Sequence, residues 1–249
     1  LSAFVNERYA PGNLIVAAAG GVDHDHIVRM AEERFGHLAP VVQVETEPGR
    51  FAGGECRVEK GLEQAHVALA FASPAYRDDS VYTAQIFAMT MGGGMSSRLF
   101  QEAREKRGLC YTIFAQTGAY SDSGLMTIYA GTSGEEVGDL LGLTVDEMRR
   151  ASDDMSQDEL ARARAQLKAG MLMGLESPAN RAERLARLLA IWDRVPGIEE
   201  TVEKIEAVTI EAVRAMAGQM AASGAAALAL YGPVSSAPSV EDVTGRLAA

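Results

Sequence analysis

The sequence predicts an α+β fold in which an antiparallel sheet is covered by helices on one face. Strand-like segments follow each other directly along the chain, and such neighbours favour hairpins. Helical segments are grouped between them, without the regular strand–helix alternation of a doubly wound fold. The 249 residues, of which 47% are hydrophobic and 23% charged, are enough to bury a full core.

The N-terminal segment predicts a helix, a strand and a second helix. Residues 1–9 have the character of a helix end, and the apolar run at residues 13–19 predicts a buried strand. Asp23 is expected to cap the next helix, which Gly36 ends as a C′ glycine. Residues 37–54 carry prolines and a glycine pair without periodicity, so we predict a linker and a domain boundary there.

The rest of the chain predicts two strands, two helices, two strands, four or five helices and a closing strand. The strands are predicted at residues 56–59, 65–73, 110–120, 124–131 and 225–231, and the first two helices at residues 80–91 and 97–107. Residues 121–123, Ser-Asp-Ser, are typical of a hairpin turn. Later helix starts are predicted at four hydroxyl residues, the first two with a glutamate three positions on: Ser133, Ser156, Ser177 and Thr209.

Charge and composition narrow the function classes. A net charge of −11 argues against nucleic-acid binding, since a phosphate-contacting face needs a basic excess. It indicates an acidic surface, or an acidic chamber that attracts basic peptides. No apolar run reaches the roughly 18 residues of a transmembrane helix, so no membrane partner is predicted. Cys56 and Cys110 are too few for a disulfide framework, which favours the cytoplasm over the periplasm.

Gly92, Gly93 and Gly94 form the first candidate feature. A nucleotide phosphate loop is disfavoured, because the run lacks the Gly-Lys-Ser/Thr ending that such a loop needs. Two interpretations stay open. The glycines could form a helix C-cap and a tight turn that uses positive φ, or they could permit close approach of another backbone, such as a bound peptide. A substrate-contacting loop is therefore one hypothesis for them.

Arg104 and Tyr111 form the second candidate feature. Arg104 falls on the helix that leaves the glycine run, Tyr111 falls at the start of the returning strand, and Gly108 permits the reversal between them. A fixed guanidinium and phenol at one place suit a polarised peptide carbonyl. From the residues alone, a surface arginine and a half-buried strand tyrosine are the simpler interpretation.

No metal site is predicted within the chain. His24 and His26 are two residues apart, whereas a helical histidine pair needs i,i+4 spacing to share one metal. Residues 23–26 are therefore interpreted as a solvated first helical turn. No Gly-x-Ser-x-Gly elbow supports a serine hydrolase.

The stretch Gly92–Tyr111, Gly-Gly-Gly-Met-Ser-Ser-Arg-Leu-Phe-Gln-Glu-x-Arg-Glu-Lys-Arg-Gly-Leu-x-Tyr, resembles the pitrilysin/insulinase family of zinc peptidases. The similarity is greatest to bacterial relatives of mitochondrial processing peptidase. Supporting similarity runs from Tyr9-Ala-Pro-Gly-Asn-Leu to Phe35-Gly36-His37-Leu38. The resemblance covers essentially the whole chain, although the tail after Gly232 adds little.

The resemblance implies one half of a clamshell built from two homologous α+β halves. Members of the family bind zinc through His-x-x-Glu-His and a distal glutamate, and that motif is missing here. Residues 1–48 are then expected to be the C-terminal remainder of the zinc-bearing N-terminal domain. Residues 53–249 are expected to be the inactive-repeat, substrate-contacting domain. Arg104 and Tyr111 match the family's substrate-binding arginine and tyrosine, and no catalytic residue is assigned to this chain.

The implied function is the substrate-contacting C-terminal part of a zinc metalloendopeptidase, inactive when alone. Zinc is then a cofactor of the complete enzyme only. The implied partners are a peptide substrate and a zinc-bearing N-terminal half or partner subunit, with a homodimer as a further option. The alternative is a non-catalytic subunit that closes or scaffolds a two-subunit peptidase or complex. A third hypothesis is a peptide-binding module whose exposed strand edge adds an extended peptide.

Overall fold

A computed structural model describes residues 2–39 and 47–248 of the chain. These residues form two compact units. The first unit combines the described residues up to Glu47 with Ala169–Ile198, and the second combines Pro48–Lys168 with Glu199 to the end of the described chain. The expected boundary between homologous domains at residues 48–53 stays a prediction.

Helices make up most of the regular structure. In chain order they are α1 (Ser2–Arg8), α2 (His24–Phe35), α3 (Val81–Gly92), α4 (Val137–Asp154), α5 (Gln157–Gly174), α6 (Pro178–Trp192), α7 (Ile198–Glu206), α8 (Ile210–Ala222) and α9 (Val240–Ala248). A 3-10 turn lies at Pro11–Asn13 and a π-helix at Phe100–Lys106. Among the helices of the described residues, none has the length and apolar composition needed to cross a membrane. The last helix, α9, was not predicted.

The second unit contains a five-stranded sheet. Its strands are β1 (Gly54–Glu59), β2 (Ala65–Ala72), β3 (Thr112–Ala119), β4 (Gly124–Thr132) and β5 (Ala227–Gly232). They lie in the order β1-β5-β2-β4-β3. Each neighbouring pair is antiparallel except β1 and β5, which run parallel. The predicted α+β class is confirmed, and the predicted hairpin turn joins β3 to β4.

The sheet buries one face. In β2, Val67, Leu69 and Phe71 are almost fully buried, while the alternating residues are half-buried or exposed. A strand places successive side chains on opposite faces, so this alternation defines a core side and an outer side. The core side belongs to one apolar cluster that also includes Phe87 of α3 and Leu140 of α4. Burying each such large side chain contributes about 1.5–3 kcal/mol.

The first two strands do not form the hairpin that their closeness in sequence favours. Instead β5 lies between β1 and β2. The chain after β5 holds this arrangement, because Arg57 of β1 donates hydrogen bonds to the carbonyls of Val234 and Ala237, 3.1 and 2.9 Å away. Glu59 accepts a hydrogen bond from the backbone N–H of Val234. Contacts between positions this far apart in sequence leave no local signal.

The first unit departs from one expected element. The apolar run at residues 13–19 begins within a 3-10 turn and continues without strand pairing in the described part of the chain. A strand needs a neighbouring strand, and the described residues of this unit contain none. Helix α2 is confirmed, with the Asp23 carboxylate accepting from the His26 amide at 2.8 Å. It ends at Phe35, but Gly36 has a right-handed φ of −62° rather than a left-handed one.

Three of the four later helix caps are confirmed. Ser156, Ser177 and Thr209 each accept a hydrogen bond from the backbone N–H three residues later. Ser156 also forms the full capping box, because its own N–H donates to the Glu159 carboxylate at 2.8 Å. Ser133 does not cap a helix. Its hydroxyl donates to the Glu136 carboxylate, and α4 begins four residues after Ser133.

The corner between α4 and α5 is held by a buried arginine from a distant segment. The Arg98 side chain is 10% exposed and lies 2.5 Å from Asp154, and its Nε and Nη2 donate to both oxygens of Glu159 at 2.6 and 2.9 Å. Burial alone would raise the pKa of Glu159. Hydrogen bonds from Arg98 and from Ser156 outweigh burial and hold this pKa below its ordinary value.

We expect Gly92→Ala to lower the free energy of unfolding by about 3 kcal/mol, because the new Cβ would lie 2.2 Å from the Ala115 amide nitrogen. Urea denaturation followed by far-UV circular dichroism measures this. Gly245→Ala is the matched control, since its Cβ meets nothing within 4 Å in α9, and we expect it to stabilise by about 0.5–1 kcal/mol. Equal stability of the two variants would contradict the close packing of Gly92.

We expect Glu159→Gln to lower the free energy of unfolding by about 2 kcal/mol at pH 7, because the charged hydrogen bonds to Arg98 are lost. The pKa of Glu159 is lowered in the folded protein, so its contribution is complete above the unfolded value near 4.5. The contribution disappears as pH falls through the folded pKa. Urea titrations should therefore show a smaller difference from the parent protein at pH 3 than at pH 7.

The control for this change is Asp158→Asn, one position earlier in the exposed first turn of α5. We expect it to change the free energy of unfolding by less than about 0.5 kcal/mol at either pH. A destabilisation by Glu159→Gln that is equally large at pH 3 would show that ion pairing is not its cause.

Candidate functional site

The glycine run joins α3 to the segment that carries Arg104. Gly92 is the last residue of α3 and is pressed against the backbone of Phe114 and Ala115 in β3. The carbonyls of Gly93 and Gly94 accept hydrogen bonds from the side chains of Gln166 and Ser97, at 2.7 and 2.6 Å. The run is therefore held on both sides by the protein itself.

These contacts test both structural interpretations of the run. The predicted helix C-cap is confirmed, because Gly93 caps α3 and its N–H donates to the Met89 carbonyl at 2.9 Å, but the positive φ expected for the turn is wrong at all three glycines. Close backbone approach is correct, although the approaching backbone is strand β3 of the same chain. A role of the glycines in contacting substrate stays a prediction.

Arg104 lies near the end of the π-helix, which forms most of the helix predicted at residues 97–107. This helix packs into the core through Leu99 just before it and through Ala103 within it, both fully buried. The Arg104 side chain is 45% exposed. Its guanidinium carbon lies 4.7 Å from the centre of the Phe100 ring, and its Nε lies 4.0 Å from the Glu105 carboxylate. π-Helical turns are rare in proteins, and those that occur often lie at functional sites.

The chain reverses after the π-helix at Gly108, as predicted. Gly108 has φ +65°, and the Leu109 N–H donates to the Ala103 carbonyl at 2.8 Å, which closes the helix end. Leu109 and Cys110 are buried, and the hydroxyl of Thr132 donates to the Leu109 carbonyl. Burial raises the pKa of the Cys110 thiol, although the charge of Arg104 opposes the shift.

Tyr111 follows this buried pair directly. Its side chain is 74% exposed, while its N–H donates to the Gly131 carbonyl of β4 at 3.1 Å. Arg104 and Tyr111 therefore lie at the two ends of one connection, which is exposed at residues 105–108 and buried at Leu109 and Cys110. Their joint action on a substrate stays a prediction.

The outer side of the sheet carries aromatic residues that the sequence analysis did not single out. His66 Nδ1 and the Tyr129 hydroxyl are 2.7 Å apart. The Phe114 ring lies 5.1 Å from that of Tyr129, and the Tyr231 ring lies 6.2 Å from that of His66. A prediction of the strand register would have grouped these aromatic residues, because His66 is opposite Tyr231 and Phe114 is opposite Tyr129.

The described residues do not fit a metal centre. Within residues 2–39 and 47–248, no three histidine, cysteine, aspartate or glutamate side chains are arranged to hold an ion. The run at residues 23–26 is the start of α2, where the carboxylate of Asp23 is used as the helix cap. Zinc chemistry therefore has no donor set in the described part of this chain.

Comparison with known proteins places this geometry in a family. The family model described as "Peptidase M16 inactive domain" matches residues 1–167. An uncharacterized zinc protease of Mycobacterium tuberculosis is 34% identical over 247 residues, which cover 96% of this chain and 56% of that protein. One from Rickettsia felis is 36% identical over 203 residues, 81% of this chain and 49% of that protein. The chain spans about half the length of these curated relatives.

A solved structure shows the same fold. A chain in complex III2 from Candida albicans, with Inz-5 bound, matches with a TM-score of 0.81 at 21% identity. The match covers 92% of this chain and 57% of that one, and it establishes the fold alone. The family model and the sequence relatives confirm the resemblance seen in the sequence. The chain belongs to the M16 family, the insulinase/pitrilysin-like zinc peptidases, and carries the inactive-type domain of that family.

Proposed function

We propose that this chain is the substrate-contacting C-terminal part of a zinc metalloendopeptidase and does not hydrolyse peptides by itself. Family membership supports a role in peptide hydrolysis, because the sequence relatives carry the name zinc protease. The matched model is the inactive-type domain. The proposal assigns substrate binding to Arg104 and Tyr111.

One observation carries the proposal: two exposed hydrogen-bond donors lie at the two ends of a short connection whose last two residues are buried. Arg104 presents a charged, forked guanidinium and Tyr111 presents a phenol. Between them, Leu109 and Cys110 are buried and Gly108 fixes the reversal. Donors on such a rigid frame stabilise a peptide carbonyl as it gains negative charge, and no reorganisation is required when the reaction occurs.

The zinc of the complete enzyme would belong to another part of it. Zinc bound there supplies a polarised water for attack on the peptide bond. The residues of this chain bind and orient the substrate backbone, and Arg104 and Tyr111 donate hydrogen bonds to its carbonyl oxygens. A zinc-bearing N-terminal half or a partner subunit is therefore a required partner in this proposal.

We expect Arg104→Ala and Tyr111→Phe each to lower kcat/KM of the complete enzyme by about 10²–10³-fold, the effect of removing one oxyanion donor. Both side chains are exposed, so the melting temperature should change little. Cleavage of a fluorogenic peptide measures the rate. Arg107→Ala and Tyr120→Phe are matched controls, since Arg107 is the exposed arginine just after the π-helix and Tyr120 follows the far end of β3.

We expect the purified 249-residue chain to hydrolyse no peptide, with or without added zinc, in the same fluorogenic assay. Zinc-dependent cleavage by this chain alone would overturn the assignment of roles. Complete enzyme whose kcat/KM is unchanged by Arg104→Ala and by Tyr111→Phe would favour the alternative, a subunit that only closes or scaffolds the assembly.

A further inference from the structure

The side chain of Arg98 links the segment before the π-helix to the end of α4 and to the first turn of α5, all in the second unit. It lies between the glycine run and the π-helix that carries Arg104. Its guanidinium contacts Asp154, the last residue of α4, and Glu159, in the first turn of α5. A third carboxylate, on Glu147, lies 3.9 Å away.

The contact with Glu159 is geometrically specific. Arg98 donates from Nε and Nη2 to the two oxygens of one carboxylate, at 2.6 and 2.9 Å. Such a paired contact fixes the plane of the guanidinium as well as its position. Glu159 cannot move easily in response, because it also accepts the N–H of Ser156 in the capping box.

Neighbouring charges hold the other partners in place. Arg150 lies 2.6 Å from Glu147 and donates to Asp154 at 3.0 and 3.1 Å. The Glu147 side chain is only 3% exposed and contacts both arginines, and burial raises the pKa of its carboxyl. The α4–α5 corner therefore offers Arg98 a preassembled set of acceptors.

A second set of contacts fixes the same segment on its core side. Leu99 and Ala103 are fully buried, and they hold the segment against the apolar cluster. The hydrophobic effect itself is non-directional, so these contacts set how closely the segment approaches the core. The directed hydrogen bonds of Arg98 add a constraint on rotation about the helix axis.

We propose that Arg98 is a positioning residue: it fixes the orientation of the π-helix, and thereby aims the guanidinium of Arg104 at the substrate. The inference rests on the function proposed above. Arg98 contributes stability through these ion pairs, and the paired contact with Glu159 adds a fixed orientation.

A double-mutant cycle in the complete enzyme tests the inference. Arg98→Met should lower kcat and kcat/KM together, by about tenfold or more, because an interaction made only in the transition state is weakened. In the Arg104→Ala background the same change should have no further effect, since the group it aims is absent. Arg98→Lys keeps the charge without the fork and should restore only part of kcat. Arg162→Met, on the exposed surface of α5, is the control.

Each outcome of the cycle decides one point. If Arg98→Met lowers kcat by the same factor with and without Arg104, Arg98 acts independently of it and the inference is overturned. If Arg104→Ala alone has no effect, the proposed function fails instead. Should Arg98→Met fail to fold, the double change Asp154→Asn and Glu159→Gln keeps Arg98, removes both negative charges and replaces one acceptor oxygen of each carboxylate by an NH2 group, and it should give a non-additive loss of the same kind.

Amide hydrogen exchange on the 249-residue chain gives a second readout that needs no activity. Arg98→Met should speed exchange of the amides in residues 100–111 relative to Arg162→Met, and by a larger factor than it speeds exchange in α8. Exchange that speeds by one common factor throughout the second unit, with no excess in residues 100–111, would show only a general loss of stability and would contradict a positioning role.

Discussion

The close approach of α3 to strand β3 is the constraint on which the candidate site depends. At Gly92 no side chain separates the helix end from the β3 backbone, where an added Cβ would lie 2.2 Å from the Ala115 nitrogen. The glycine run therefore starts at a position fixed by β3, and the π-helix with Arg104 follows from it. Tyr111 immediately precedes the same strand. The positions of both proposed substrate-contacting residues are thus fixed by one strand, β3, which lies at the edge of the sheet.

The two edges of the sheet are stabilised by different means. At β1, Arg57 and Glu59 on the core side bind backbone groups of the segment after β5, so polar side chains replace apolar packing. At β3, Ile113 and Ala115 are buried in the apolar core, and Phe114 lies on the outer side. The edge that carries the candidate site is therefore the one supported by the hydrophobic core, which suits a rigid frame for exposed donors.

The sequence predicted features that depend on residues a few positions apart. The Asp23 cap, the Ser156–Glu159 capping box and the alternation of β2 are all of this kind, because their hydrogen bonds or faces are set by short spacing. The partners of Arg98 lie 56 and 61 residues away, and β5 inserts between strands that adjoin in sequence. Such long-range pairings leave no periodic trace, so the sequence indicated where Arg104 and Tyr111 lie but not what holds them.

Arg98 and Arg104 show how environment gives one residue type two roles on the same segment. Arg98 is nearly buried and matched by carboxylates, and those carboxylates keep it charged despite burial. Arg104 is half-exposed, and its contact with the Glu105 carboxylate, at 4.0 Å to a side chain 53% exposed, contributes little binding energy. Replacing that contact by a peptide carbonyl therefore costs little, whereas Arg98 could bind a ligand only by giving up its hydrogen bonds to Asp154 and Glu159. The surrounding charges thus assign support to the first arginine and leave the second available to a substrate.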